Sequence, residues 1–276
     1  MAKLVIGNNK TVGVPVITKE IEKLPALGLM RAKDANGKLV NSRIESQIMD
    51  FTGMTDVDNY MLAYAYYTNQ AISGAVDMSD LTTLSGTNSC YEMFANCTGL
   101  TSVDMSSFTS IGVNGTAACG FMFQNCTGLI SIDMSALTVI TGGSACQYMF
   151  TGCTSLTSAN LSALTTITGN YACQGMFRNC TGLTSIDMSS LTTISGNQAC
   201  VSMLDGCTSL TTVRIGNTTA IDFGTRTNQF GSMFQGCTQN IDVYAPAANQ
   251  TQIESFSGYP NFGGTGTVTW HWNTAE

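Results

Sequence analysis

Charge is scarce in this sequence, and histidine scarcer still. Of 276 residues, 11% are charged, against about 25% in an ordinary soluble domain. Histidine occurs once, as His271. That leaves almost no room for a histidine-based triad or a multi-histidine zinc site. Lysine and arginine together number eleven and the net charge is −7, which argues against nucleic-acid binding through a basic face. No apolar run approaches the roughly eighteen residues of a membrane-spanning helix, so no membrane insertion is expected. The opening Met1–Lys10 holds one three-residue apolar stretch, Leu4-Val5-Ile6, far short of a signal-peptide core. A cytoplasmically made chain is the expectation.

The few charges are unevenly spread. Residues 1–60 carry eight basic and seven acidic side chains, and residues 61–276 carry three arginines, no lysine and eleven acids. A break this sharp separates two regions of different construction. The second region is rich in Ser, Thr and Gly, and its solubility must come from hydroxyls and a thin set of carboxylates.

What is abundant is cysteine, eleven of them, and fifteen methionines. The cysteines fall in pairs seven apart: Cys90 and Cys97, Cys119 and Cys126, Cys146 and Cys153, Cys173 and Cys180, Cys200 and Cys207. The first member recurs at steps of 29, 27, 27 and 27. Cys237 continues the series with Phe230 in the partner slot, and Ala63 and Gln70 fill the two slots of a degenerate first copy. A fixed period in this range is the signature of a solenoid, because one unit cannot bury its apolar face alone and stacked neighbours can.

Within a unit, Cys-x-x-Met-Phe-x-x-Cys places apolar side chains at i, i+3, i+4 and i+7, which predicts two helical turns. Next, Ile186-Asp187-Met188 alternates in and out, which predicts a short strand. Leu191-Thr-Thr-Ile194 fits a turn or bridging strand, and Gly196-Asn197 a reversal. Identical slots should form ladders about 4.8 Å apart along the sheet.

The cysteines have three functional readings, metal, disulfide and catalysis, and one structural reading as small buried hydrophobes. Seven residues along a helix separate the sulfurs by roughly 10 Å, too far for a bridge within a pair. Zinc sites use tighter spacing. In the last copy one slot is lost alone, Phe230 beside a retained Cys237, which a bridge or ligand set within the pair does not tolerate. Buried free thiols are therefore expected, with bridges between neighbouring coils left open. Met93, Met122, Met149, Met176, Met203 and Met233 fill another repeat slot, and Met78, Met105, Met134 and Met188 a further one; they read as core rather than as copper or haem ligands. No cofactor and no metal is expected.

Asp77, Asp104, Asp133, Asn160, Asp187, Arg214 and Asp242 read as equivalent outward strand positions, an acidic ladder. Neighbouring carboxylates repel. The ladder is either a solubilising, anti-aggregation face or a binding face for calcium or a basic partner. Asn160 and Arg214 interrupt it, against a regular metal ladder. The flanking Thr157, Ser158, Thr184, Ser185, Thr211 and Thr212 offer hydroxyls to polysaccharide or protein, or simply suit a strand. A repeated Asp in like environments does not supply the unlike carboxyl pair of a glycosidase, and no nucleophile–base motif accompanies the hydroxyls. No enzyme activity and no catalytic residues are expected.

The ends differ. Residues 3–17 read as two β segments around Asn8-Asn9, residues 20–40 as irregular, and 44–51 and 55–67 as helical. Near the C-terminus, Ile241–Tyr244 reads as a strand and Pro246 opens a helix to about 256. Val268-Thr-Trp270-His-Trp272 alternates as a strand, either covering the last coil or presenting Trp270 and Trp272 as an aromatic contact. His271 faces the other way. The division expected is an N-terminal anchoring or capping region over 1–59, a solenoid over 60–257 and a C-terminal cap over 258–276.

The run Phe177, Cys180, Leu183, Ile186 resembles the BspA-like leucine-rich repeats of bacterial surface proteins. The likeness covers about 200 residues of the 276. It departs from the common leucine-rich repeat in lacking the Asn ladder; Ser106, Ser135, Ser162 and Ser189 sit near that turn. The resemblance implies an α/β leucine-rich-repeat solenoid of about seven coils, 27–30 residues each, and a surface or adhesion role. The Ser-x-Leu-Thr-Thr-Ile-x-Gly-x-x-Ala-Cys wording also resembles structural proteins of tailed phages of gut bacteria. That likeness implies a virion fibre or decoration with three kinds of contact: other virion proteins through the N-terminal region, a host surface protein or polysaccharide, and further copies of itself. The alternative is a bacterial cell-surface adhesin.

Overall fold

The structure is a computed structural model of the chain. It describes the strand pairs named next, and residues 55–274 except 58, 60, 61, 69, 71 and 227. Leu4–Val5 pairs antiparallel with Thr18–Lys19, and Ala32–Lys33 with Leu39–Val40. The second pair lies in the stretch expected to be irregular. The Asn8-Asn9 turn, the helical reading of 44–51 and the proposed anchoring role lie outside the described residues.

From residue 55 the chain winds as a parallel β-solenoid. One side is an eight-stranded sheet in sequence order: Ser73–Asp77, Gly99–Asp104, Ser131–Asp133, Ser158–Asn160, Ser185–Met188, Thr212–Ile215, Ile241–Pro246 and Val268–Asn273. A second side is a five-stranded sheet of two-residue strands, Thr83–Leu84, Ser110–Ile111, Val139–Ile140, Thr166–Ile167 and Thr193–Ile194. Every pairing in both sheets is parallel and joins equivalent residues of successive coils, as Ala159 with Ile186 and Ile140 with Ile167.

The third side corrects the helical expectation. The Cys-x-x-Met-Phe-x-x-Cys stretch is a ribbon of linked turns. Alternate amides bond locally, Met93 to the Cys90 carbonyl at 3.2 Å and Cys97 to Phe94 at 3.0 Å. The amides between them reach the next coil, Cys90 to Ala118 at 2.8 Å, Glu92 to Gly120 at 2.9 Å and Phe94 to Met122 at 2.8 Å. A helix would spend all these donors inside one coil. The ribbon satisfies them and binds the coils together as well. Its period is four residues, and a four-residue period also puts i, i+3, i+4 and i+7 on one face, so the apolar spacing fits both structures. Each period requires a left-handed residue. Just before the second cysteine that residue is Asn96, Asn125, Gly152, Asn179, Gly206 or Gly236, with φ between 56° and 75°. Asn and Gly tolerate that region best. Residues 62–68, which overlap the stretch 55–67 read as helical, are the same ribbon: Tyr64 bonds to Tyr91 and Tyr66 to Met93. This register puts Leu62, not Ala63, in the first cysteine slot.

Among the described residues the one α-helix is Gln250–Glu254, preceded by a 3-10 turn at Ala247–Asn249, after Pro246 as expected. The core runs unbroken through the coils. Tyr66, Phe94, Phe123, Phe150 and Phe177 form a column of rings 5.1–5.4 Å apart and within 7° of parallel. All eleven cysteines are free and buried. Glycines 115, 142, 169 and 196 form their own column. A Cβ on Gly169 would stand 2.0 Å from the Gly142 carbonyl oxygen, and one on Gly196 2.1 Å from that of Gly169. Gly196 is thus required for close coil stacking rather than for the reversal expected of it.

Candidate functional site

The long sheet carries the acidic ladder on its outer face. Asp77, Asp104, Asp133, Asn160, Asp187 and Arg214 are in register, each opposite the next. Asp242 is not. It pairs with Thr212, and Tyr244 stands opposite Arg214. Tyr244 is the seventh residue after Cys237, as Arg214 is after Cys207 and Asp187 after Cys180, so the ladder slot of this coil holds Tyr244 and Asp242 lies two residues before it.

The ladder side chains hold turns. The Oδ1 atoms of Asp77, Asp104, Asp133 and Asp187 each accept the backbone N–H two residues on, from Ser79, Ser106, Ser135 and Ser189, at 2.9 Å. Asn160 does the same for Ser162 at 3.1 Å. This Asx-turn chemistry needs a short side-chain oxygen, and Asp and Asn supply it alike. Arg214 cannot, and there the chain turns at Gly216 with φ +69°.

The hydroxyls are engaged in the same manner. Thr157, Thr184 and Thr211 donate from Oγ1 to the carbonyls of Ile130, Thr157 and Thr184 in the preceding coil. Thr138, Thr165 and Thr192 form a matching ladder beside the short sheet. Ser158 and Ser185 sit on the outer face of the long sheet.

At the C-terminal end the face changes character. The Arg214 guanidinium lies 4.4 Å from the centre of the Tyr244 ring. Tyr244 stacks on His271 at 4.6 Å, and His271 Nε2 meets Asp242 Oδ1 at 2.8 Å. Arg214, Tyr244 and His271 thus continue the ladder positions with cationic and aromatic groups. Trp270 and Trp272 point inward from the last strand and pack, half-buried, against the core. Their rings stack at 5.5 Å, and Trp270 donates from Nε1 to the Pro260 carbonyl at 3.1 Å.

The thiols complete the picture. In the second slot, Cys126, Cys153, Cys180 and Cys207 donate to the carbonyls of Phe94, Phe123, Phe150 and Phe177 at 3.1 Å. Cys97 and Cys237 bond likewise to Tyr66 and Leu204 at 3.2 Å. The first-slot thiols of Cys90, Cys119, Cys146, Cys173 and Cys200 pack in the core. Burial pushes the thiols up, to about 12 for Cys180 and Cys200 and about 11 for Cys237. A thiol held protonated is a poor nucleophile and a poor ligand. Among the described residues no group of three or more His, Cys, Asp or Glu side chains is placed to hold a metal ion. No helix there is long and apolar enough to cross a membrane.

The sequence model of the BspA type leucine rich repeat region matches residues 92–230 and 174–260, in six copies. The chain belongs to the BspA-type leucine-rich repeat family. The match spans residues 92–260, most of the coils described above, and the fold of this BspA-type protein is a leucine-rich-repeat solenoid. The crystal structure of a leucine rich cell surface protein from Faecalibacterium prausnitzii A2-165 is similar at 13% identity, over 78% of this chain and 76% of that one, with a TM-score of 0.19. No curated protein matches the chain.

One feature of the ribbon escaped the sequence reading. Tyr64, Tyr91, Phe121 and Tyr148 line up along its outer surface, 5.1–5.7 Å from ring to ring. The available signal was an aromatic residue just before, or two before, the buried Met-Phe pair.

Proposed function

We propose that this BspA-type solenoid is a non-enzymatic display and binding protein, a stiff rod held on a larger surface with its lateral faces turned to a ligand. The state of the thiols carries the reading. Eleven free cysteines are buried in the folded rod, and all are exposed before it folds. An oxidising compartment would bridge them at that stage. Folding in a reducing cytoplasm, followed by release of the finished rod, suits them.

That route is the one taken by virion proteins. The leading form of the proposal is a phage structural protein of tail-fibre, head-fibre or decoration type. It docks to other virion proteins through residues 1–59, engages a host surface protein or polysaccharide, and assembles as a homo-oligomer. The second form is a bacterial cell-surface adhesin, favoured by the family itself. The non-enzymatic part draws on the ladder: each carboxylate occupies the same environment and holds its own turn, whereas acid–base chemistry needs unlike partners.

Mass spectrometry of purified virions and of proteins shaved from intact bacteria tests the proposal. Co-purification with capsid and tail proteins supports the first form. Recovery from shaved cells alone supports the second. Recovery from the soluble cell interior alone contradicts both.

A further inference from the structure

We infer that the aromatic row on the turn ribbon is a binding strip for a linear, neutral polysaccharide built of flat sugar rings. The row is Tyr64, Tyr91, Phe121 and Tyr148, one ring per coil, with centres 5.6, 5.7 and 5.1 Å apart. Tyr67 adds a fifth ring beside Tyr64, at 6.0 Å. Tyr64 is 43% exposed and Tyr67 45%, and the other three are partly exposed. Large aromatic side chains in a row on a surface mark a contact site.

The backbone gives an independent reason. Tyr64, Phe121 and Tyr148 sit at φ 59°, 55° and 53°, a region unfavourable for bulky side chains. The equivalent positions of the later coils carry Gly175, Ser202 and Ser232. The left-handed residue is a need of the ribbon in every coil, but an aromatic one is not, and rings kept where Gly or Ser would serve, tilted 62°, 63° and 29° to one another along the row, point to function. In the second coil the slot holds Glu92, and the ring moves one residue back to Tyr91. Gly120 makes room for it: a Cβ there would lie 2.9 Å from the Tyr91 ring. Gly175 likewise lies under the Tyr148 ring. The row survives a change of slot, which core packing does not require.

The spacing selects the ligand class. One ring per coil, evenly stepped, fits a ligand that is itself a linear repeat with an apolar ring face in each unit. An extended glycan of β-linked hexopyranoses has that form, and its ring-to-ring rise is close to the coil step. A globular protein surface has no such repeat. Tyrosine suits the task, since its body is apolar and its tip hydrogen-bonds. Glu92 sits within the row, and burial together with the Glu92 charge pushes the Tyr91 phenol up to about 12. That carboxylate, on a chain of net charge −7, disfavours acidic glycans and leaves neutral ones.

The inference rests on the display reading and names its ligand surface. The test is affinity gel electrophoresis of the full chain in hydroxyethyl cellulose, xylan and mannan. The variants are Tyr64→Ser/Phe121→Ser/Tyr148→Ser, which installs the side chain of the last coils, and Asp104→Asn/Asp133→Asn on the other face. Circular dichroism and thermal melting check that both fold. Retardation of the wild type in at least one glycan is expected, reduced about tenfold or more in the triple variant and unchanged in the Asp variant. No retardation in any of the three overturns the inference, as does loss of binding in the Asp variant with retention in the triple one. Self-association abolished by the triple variant, without glycan binding, makes the row an interface between copies and also overturns it. A chain found on virions or cells that binds none of these glycans leaves the display reading standing and removes only the strip.

Discussion

The thiol of Cys126 donates to the carbonyl oxygen of Phe94, one coil back, at 3.1 Å. That oxygen also accepts the Cys97 N–H of its own coil at 3.0 Å. A carbonyl has two lone pairs, and the second cysteine slot supplies a buried donor for the spare one. The first slot has no such duty, which makes the two cysteine columns chemically different. Cys180→Ala should cost about 2 kcal/mol, from the lost bond plus the cavity, and Cys173→Ala about 1 kcal/mol, from the cavity alone. Urea titration of the two variants checks this. Equal costs would remove the hydrogen-bond role.

The thiols also set a pH limit. Their folded values lie above the ordinary thiol value, with Cys180 and Cys200 near 12. The unfolded chain then loses protons first as pH rises, so the folded state loses stability through that window. The contribution is complete below pH about 9 and falls above it by about 1.4 kcal/mol per pH unit for each thiol so raised, Cys180 and Cys200 among them. Melting temperature should be flat from neutral pH to about 8.5 and drop steeply beyond. A flat profile to pH 11 contradicts the buried columns.

The acidic ladder is read as a set of turns, and chemistry separates that from a metal face. Asp133→Asn keeps the acceptor for the Ser135 N–H and removes one charge opposite Asp104. It should leave stability unchanged or raise it slightly at low salt. Asp133→Ala should cost about 1 kcal/mol. If Asn is as harmful as Ala, the carboxylate charge matters and the turn account fails.

The glycine column leaves no space. Gly169→Ala drives a methyl into the Gly142 carbonyl, 2.0 Å away, and neither backbone can retreat without parting the coils. A loss of about 3 kcal/mol or more is expected. A variant melting within a few degrees of the wild type would show that the coils stack less tightly than described.

Much of this was legible in the sequence. The cysteine period exposed the solenoid, because each slot recurs with its burial. The strands followed from short alternations such as Ile186-Asp187-Met188. The ribbon was misread as helix because the spacing of Cys90, Met93, Phe94 and Cys97 suits periods of 3.6 and of four residues alike. The separating signal is Asn or Gly before each second cysteine, a left-handed residue that a helix interior would disfavour. The ladder was legible up to Arg214 and misassigned at Asp242: alternation alone allows either residue, and counting seven on from Cys237, as from Cys207 to Arg214, gives Tyr244. The Asx turns were out of reach of spacing alone, although Asp-x-Ser recurs in the sequence. The aromatic row was hidden because Tyr91 occupies a different slot from Tyr64, Phe121 and Tyr148, and only the lateral packing brings them together.

The central claim is that the cysteines are columns of a closed, continuous core and that function lies on the faces outside it. Thiol counting tests it most directly. The purified chain is exposed to a small alkylating reagent at neutral pH, then weighed by mass spectrometry, with and without denaturant. The account predicts no label on the native chain and one on each of the eleven cysteines after unfolding. Rapid native labelling, or fewer than eleven sites after unfolding because bridges have formed, would contradict it.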